Sequence, residues 1–278
     1  MTILPTGNRA VMNQRLDPLD SLDFFPTPPW ATRALTRRVM LDLHGTCWEP
    51  AAGAGHMAEV LRETFGDVYA SDINDYGRGY TVGSFAGRTD VPQAEVTCPF
   101  TPDWIISNPP FNAAAEFAIR AINVARRGVA LLVRSNWAEG VERYNELFRV
   151  CPPAIVAQFV ERVPMVKGCW DPDASTSTAY AWFIWDRVRT GTHFAWIAPG
   201  CRTALEMPND RRRFAAWMFE EPATIEEDVL CRALRDSGAT VLDMRTALRI
   251  SDDRLTRFLR DIDKADKKAR KAAKQVAA

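Results

Sequence analysis

The residues best suited to chemistry are Asn108-Pro109-Pro110-Phe111, directly after the apolar run Trp104-Ile105-Ile106-Ser107. A short apolar run of this kind reads as a buried strand, and the carboxyl end of a strand is where open α/β sheets place their active sites. An Asn side-chain oxygen and a neighbouring main-chain carbonyl are two acceptors, suited to holding both N–H bonds of a planar amino or amide group. Such a nitrogen is a poor nucleophile because its lone pair is delocalised, so acceptors that favour a pyramidal geometry raise its reactivity. Pro109 and Pro110 fix their own φ and push the residue before each toward an extended conformation, presetting the Asn108 side chain and the Pro109 carbonyl. Phe111 offers an aromatic face to a base taken out of its stack, an interaction worth about 1–3 kcal/mol in single-strand systems. A strand-ending turn followed by a core aromatic is the plainer explanation of the same four residues.

Upstream, Trp48-Glu49-Pro50-Ala51-Ala52-Gly53-Ala54-Gly55-His56 joins a β-like run to an amphipathic stretch. Glycines there let backbone amides and a helix N-terminus come close to a ligand. A short Gly-x-Gly also serves as a tight turn, but two features point further. No Lys-Ser/Thr follows, which excludes a triphosphate loop, and Asp72 falls 19 residues after Gly53, at the end of the next β-like run, where an acid binds ribose hydroxyls. Ser71-Asp72-Ile73-Asn74-Asp75 is also rich in capping residues, so a turn cap stays open as the role of Asp72. Glu49 is either a surface charge or the partner of a cationic ligand head group.

The elements that would position these residues alternate. Trp30–Leu43 is expected as a helix, Cys47–Glu49 as a strand, Met57–Phe65 as a helix, Val68–Ser71 as a strand and Tyr76–Gly87 as a glycine-rich loop. Then come the strand Trp104–Ser107, the helix Ala113–Arg126 and the strand Val129–Val133. Strand and helix in alternation imply an α/β, Rossmann-like fold, a mostly parallel twisted sheet with helices on both faces. Ala154–Val160 and Ala179–Trp185 are candidates to complete the sheet. Phe194–Ala198 leads into a Pro-Gly turn, and Pro208–Pro222 is an Arg-rich connection. Beyond Pro222 the pattern changes to helices over Ile225–Ser237, Val241–Leu248 and from Asp252 onward, the last two separated by a short turn as in a helix-turn-helix. The expected organisation is a flexible arm over 1–22, a main domain over 23–221 and a small helical domain over 222–278.

Composition narrows the partners. Lys+Arg and Asp+Glu both total 35, so any nucleic-acid surface must be local. Arg254, Arg257 and Arg260 interleave with the apolar residues of the last helix, where a recognition helix presents charge to phosphates and base edges. From Lys264 to Lys274 six basic residues stand against one acid, which suits phosphate contact; a solvated tail or a dimerisation hairpin explains the same pattern. The six cysteines are scattered, with no Cys-x-x-Cys pair, which argues against structural zinc, any other metal and a disulfide framework. Lacking a leader or an apolar run near the roughly 20 residues of a membrane span, the chain is expected to be cytoplasmic.

Taken in order, these motifs resemble the class I S-adenosylmethionine (SAM)-dependent amino-methyltransferases, and within them the DNA adenine-N6 methyltransferases, especially compact phage- or prophage-type members. The resemblance covers roughly residues 23–200. It implies that Phe24, Phe25, Thr27 and Pro28, in the segment Asp23-Phe24-Phe25-Pro26-Thr27-Pro28, lie along the methionine part of SAM. It places Glu49, Ala51, Gly53 and Gly55 in the glycine motif, Asp72 and Ile73 at the ribose, and Asn108, Pro109, Pro110 and Phe111 in the catalytic motif, with Asn108 also near the cofactor. Where members carry Asp-Phe against the SAM adenine, this chain has Ser84-Phe85, so Phe85 is the matched contact and Asp90 or Thr97 are other candidates. The Thr-Pro segment ahead of the glycine motif favours a nucleic-acid substrate, since relatives that methylate protein glutamine also use Asn-Pro-Pro. The implied activity is methyl transfer from SAM to adenine N6 in double-stranded DNA, yielding S-adenosyl-L-homocysteine. RNA, a protein glutamine, or a degenerate enzyme serving as a DNA-binding regulator are the alternatives. For target recognition only residues 136–180 and the C-terminal segment remain, and Lys167, in Lys167-Gly168-Cys169-Trp170, marks a loop expected near the substrate.

Overall fold

The computed structural model describes residues 24–86, 93–214, 225–241, 243, 244, 255, 259 and 262. By internal contacts the chain divides into two units, one over Asp23–Phe219 and one that holds the described residues from Ile225 onward. The expected arm at 1–22 lies outside the described residues, as do Arg254, Arg257, Arg260 and the basic tail.

The larger unit is built on one sheet of eight strands: β1 (Thr46–Glu49), β2 (Asp67–Asp72), β3 (Thr81–Val82), β4 (Trp104–Ser107), β5 (Gly128–Arg134), β6 (Ile155–Phe159), β7 (Tyr180–Asp186) and β8 (His193–Ile197). Their order is β3-β2-β1-β4-β5-β7-β6-β8. β1 pairs in parallel with both β2 and β4, and β4 with β5, whereas β7 runs antiparallel to β5 and β6. The order reverses between β1 and β4, so the carboxyl ends of these two strands flank the crevice where such sheets bind ligands.

The central strands are apolar on both sides, and their side chains divide with a period of two. Cys47, Trp104, Ile106, Ala130, Leu132, Trp182 and Ile184 enter one buried cluster, while Trp48, Ile105, Val129, Leu131, Phe183 and Trp185 enter another. A strand covered on both faces has no solvated side, hence the continuous runs that read as strands in the sequence. On one face α1 (Pro29–Ala34) brings Trp30, Ala31 and Ala34 into the first cluster. α2 (His56–Leu61) adds Met57 and Leu61. On the other face α3 (Ala114–Val124) packs through Ala114, Phe117, Ala118 and Ala121.

Several elements differ from expectation. The helix expected to reach Leu43 leaves α geometry after Ala34 and continues as one wide turn, Leu35–Val39, closed by the Met40 N–H donating to the Leu35 carbonyl at 2.8 Å. This wider turn buries both Leu35 and Met40 completely and leaves Leu41 exposed. The expected loop at 76–87 contains β3, whose two residues pair with Ser71 and Asp72. Short helical pieces at Ser135–Ala138, Val141–Arg143 (α4) and Tyr144–Phe148 had no clear periodicity because each spans too few residues. After β8 come α5 (Cys201–Leu205) and α6 (Asp210–Phe214), the latter inside what read as a connection. Its Asp210 is drawn in by the buried Arg33, whose guanidinium donates to Asp210 at 2.5 and 2.8 Å, to the Leu205 carbonyl at 2.9 Å and to Glu63 at 2.7 and 2.8 Å.

In the smaller unit, α7 (Ile225–Asp236) ends with Gly238 at φ 78°, where Ala239 N–H donates to the Leu234 carbonyl and Gly238 N–H to that of Arg235. That is a Schellman stop. A new helical turn starts at once, with Thr240 Oγ1 accepting from the Asp243 N–H at 3.2 Å and Asp243 accepting from the Thr240 N–H at 3.0 Å, a capping box. Cys231, Met244, Leu255 and Ile262 form the buried centre of this unit. Val241 is exposed and Met244 is buried.

Candidate active site

Glu49 closes β1 with a carboxylate that is fully buried. Its Oε1 accepts from Ser107 Oγ at 2.6 Å and from the Ala51 N–H at 3.2 Å, while Oε2 is buried with no hydrogen-bond partner among the described residues. Burial raises its pKa to about 8, only partly opposed by the bonds from Ser107 and Ala51. A buried carboxylate with one unmet oxygen is costly unless a cation or donor completes it, so this atom marks a place for a positively charged group.

The glycine turn follows. Gly53 lies at φ 53° and Gly55 at φ 90°, left-handed backbone that only glycine adopts freely. A side chain at Gly53 would strike the Phe24 ring at 2.5 Å, and one at Gly55 the Tyr80 hydroxyl. Both glycines are thus required by conformation, and the Phe24 ring adds a close approach at Gly53. The Gly53 N–H donates to Asp72 Oδ2 at 2.8 Å, and Asp72 Oδ1 accepts from the Asn74 N–H at 2.9 Å. Asp72 therefore acts as the turn cap, yet each carboxylate oxygen keeps acceptor capacity for a ligand hydroxyl. Burial raises its pKa to about 6, against three backbone hydrogen bonds that lower it. Ile73, beside it, is half-buried.

Across the crevice Asn108 follows β4. Its amide nitrogen donates to the Phe25 carbonyl at 2.9 Å and points to Met165 Sδ at 3.6 Å, which turns Oδ1 the other way; Oδ1 is buried with no hydrogen-bond partner among the described residues. The rigid Pro109-Pro110 pair leads into α3, the Pro110 carbonyl accepting from the Ala113 N–H at 3.0 Å. Phe111 packs against Phe25 with ring centroids 5.4 Å apart, and the Arg134 guanidinium lies over its ring at 4.2 Å.

The segment 24–28 lies between these parts. Phe24 packs on Gly53 and, at 4.8 Å between ring centroids, on Tyr76; Phe25 touches Phe111 and orients Asn108; Thr27 is buried and Pro28 caps α1. The Gly168 N–H donates to the Phe24 carbonyl at 2.9 Å, which brings the loop carrying Lys167 beside the same segment. Ser107, Met165, Tyr76, Tyr80 and Arg134 were not singled out in the sequence. For Ser107 and Arg134 a signal existed, since each is a polar residue ending an apolar strand. Phe85 lies in a buried cluster, edge-on to Trp48, the neighbour of Glu49, at 4.9 Å and against Phe117. Thr97 is exposed, and Asp90 lies outside the described residues.

Among the described residues no group of His, Cys, Asp or Glu is arranged to hold a metal ion, and no helix is long and apolar enough to cross a membrane. No protein-family model and no curated protein matches the chain. Solved structures do. A methyltransferase subunit of a type I restriction-modification system from Streptococcus thermophilus aligns over 62% of this chain and 47% of its own, with 12% identity and a TM-score of 0.45. The EcoKI M protein aligns over 60% and 45%, with 14% identity and a TM-score of 0.40. A SAM-dependent O-methyltransferase from Thermotoga maritima aligns over 58% and 66%, with 14% identity and a TM-score of 0.39. This chain thus spans under half the length of the two restriction-modification proteins. The fold assignment rests on strand order and direction. The sheet is that of the Rossmann-like class I methyltransferase fold.

Proposed function

We propose that this chain is a SAM-dependent methyltransferase acting on N6 of adenine in DNA. One observation carries the reading: two buried acceptors without partners among the described residues, Glu49 Oε2 and Asn108 Oδ1, lie at the carboxyl ends of neighbouring strands at the reversal of strand order. The first suits the ammonium of an amino-acid-bearing cofactor, and the second suits an N–H of the group that receives the methyl. The open glycine turn and the acceptor capacity of Asp72 fit the nucleoside part between them.

SAM supplies a methyl group on a sulfonium, transferable without a metal. The chain's own part is placement. Glu49 takes the cofactor's ammonium, Gly53 and Gly55 admit its backbone-hugging portion, and Asp72 accepts from ribose hydroxyls. Asn108 Oδ1 and the Pro109 carbonyl accept the two N–H bonds of the target amine and draw its lone pair out of conjugation, while Phe111 stacks on the base. With Asn108 tied to Phe25, little reorganisation is left for the reacting complex. The C-terminal unit, through Arg254, Arg257 and Arg260, supplies DNA contact.

Incubation of the purified protein with methyl-labelled SAM and unmethylated genomic DNA, followed by digestion to nucleosides, tests this directly. Label in N6-methyl-2′-deoxyadenosine is the expected result. Parallel fractions of RNA and protein identify a different acceptor, and label in those alone would overturn the DNA reading.

A further inference from the structure

Arg134 is the last residue of β5, one strand away from the Asn108–Phe111 segment. Its guanidinium carbon is 4.2 Å from the centre of the Phe111 ring, its Nε is buried without a partner, and the guanidinium finds no hydrogen bond or ion pair among the described residues. Two other arginines placed over aromatic rings share the unpartnered Nε but differ at their terminal nitrogens. Arg120 lies over Phe85 at 5.1 Å and also pairs with Glu95 and the Val96 carbonyl. Arg143 lies over Trp137 at 4.9 Å and also donates to the Trp137 carbonyl at 2.7 Å. Those two are tied down by acceptors. Arg134 is held by the ring alone, with a full charge left unneutralised.

A guanidinium is flat, stacks on an aromatic face much as a base does, and its forked donors match a phosphate. We infer that Arg134 is a place-holder for the target nucleotide: in the base-free protein it covers the Phe111 face, and an entering base displaces it so that its charge passes to that nucleotide's phosphodiester. This rests on the nucleic-acid reading above and adds to it a residue that couples base entry to backbone binding. Without Arg134 the nucleotide loses its anionic anchor; with lysine, the charge stays and the flat cover is lost.

The experiment compares the parent protein with Arg134→Ala and Arg134→Lys on unmethylated genomic DNA, measuring KM, kcat, the salt dependence of DNA binding and the Kd for S-adenosyl-L-homocysteine. The expected result for Arg134→Ala is a KM for DNA raised about 10-fold and a salt slope lowered by about one, with the Kd for S-adenosyl-L-homocysteine unchanged. Arg134→Lys should keep the parent's salt slope. An Arg134→Ala variant with parental KM and salt slope, whatever its melting temperature, overturns the inference and leaves the function standing. A parent protein that binds S-adenosyl-L-homocysteine but labels no nucleic acid overturns both.

Discussion

The protein buries charge in two places and treats it in opposite ways. Around Arg33, under α1, every donor direction is met: two carboxylates and a main-chain carbonyl surround the guanidinium, and its pKa is raised by those partners despite the burial. At the end of β1, Glu49 is buried as deeply, yet one of its oxygens has no partner and its pKa is pushed up to about 8. A completed network ties α1, α6 and the residues after α2 together. An incomplete one stores a preference for whatever would complete it, and Asn108 Oδ1 across the crevice repeats the pattern without the charge.

The comparison can be broken most forcefully at Arg33. Replacing it with alanine strands Asp210 and Glu63, and loss of one member of a buried pair costs about 3–5 kcal/mol; a fall in the denaturant midpoint of the larger unit checks it. If Arg33→Ala were no less stable than the parent, the network would not be the structural clamp described. Next, Asn108→Ala should lower kcat for methyl transfer by about 100- to 1,000-fold, while the lost amide bond to the Phe25 carbonyl lowers stability by only about 1–3 kcal/mol, read as a small fall in melting temperature.

Glu49→Gln should weaken binding of S-adenosyl-L-homocysteine by about 10-fold, measured by calorimetry, because a charge-assisted contact is lost. Its pH dependence has a definite sign. The folded pKa is raised, so the protonated folded form is favoured; stability from this group is fully present below the unfolded value near 4.5 and falls as pH rises toward about 8. Ligand affinity runs the other way, rising toward about pH 8 as Glu49 ionises and falling above it as the ligand's amine loses its proton. Glu49→Gln should abolish the rising arm and flatten the loss of stability. The smallest effect is expected from Ser107→Ala, which removes a bond that favours ionised Glu49 and should move the rise in affinity upward by about one pH unit. A curve that does not shift would mean Ser107 serves the strand and not the carboxylate.

Much of this was legible in the chain itself. Runs such as Trp104–Ser107 and Val129–Val133 are apolar without interruption, which only a strand covered on both sides tolerates, and the glycines, the Asp and the Asn-Pro-Pro-Phe segment fall at strand ends by simple spacing. What stayed hidden had no local signal. β3 is two residues long, the wide turn after Ala34 depends on which residues the sheet can bury, and α6 exists because Asp210 meets Arg33 from a distant part of the chain.

By itself, then, the amino-acid sequence determined which segments become the central strands and which residues stand at their carboxyl ends, because burial on two faces and backbone freedom are properties of local residue order. Only the tertiary structure decided which of those polar atoms are satisfied. Glu49 Oε1 meets Ser107 while Oε2 meets nothing among the described residues, the Asn108 amide is turned by Phe25, Arg134 comes to rest on Phe111, and Phe85 packs on Trp48 and Phe117. Each of these depends on chain segments tens of residues apart arriving at one place, and hydrogen-bond complementarity is defined only after they have.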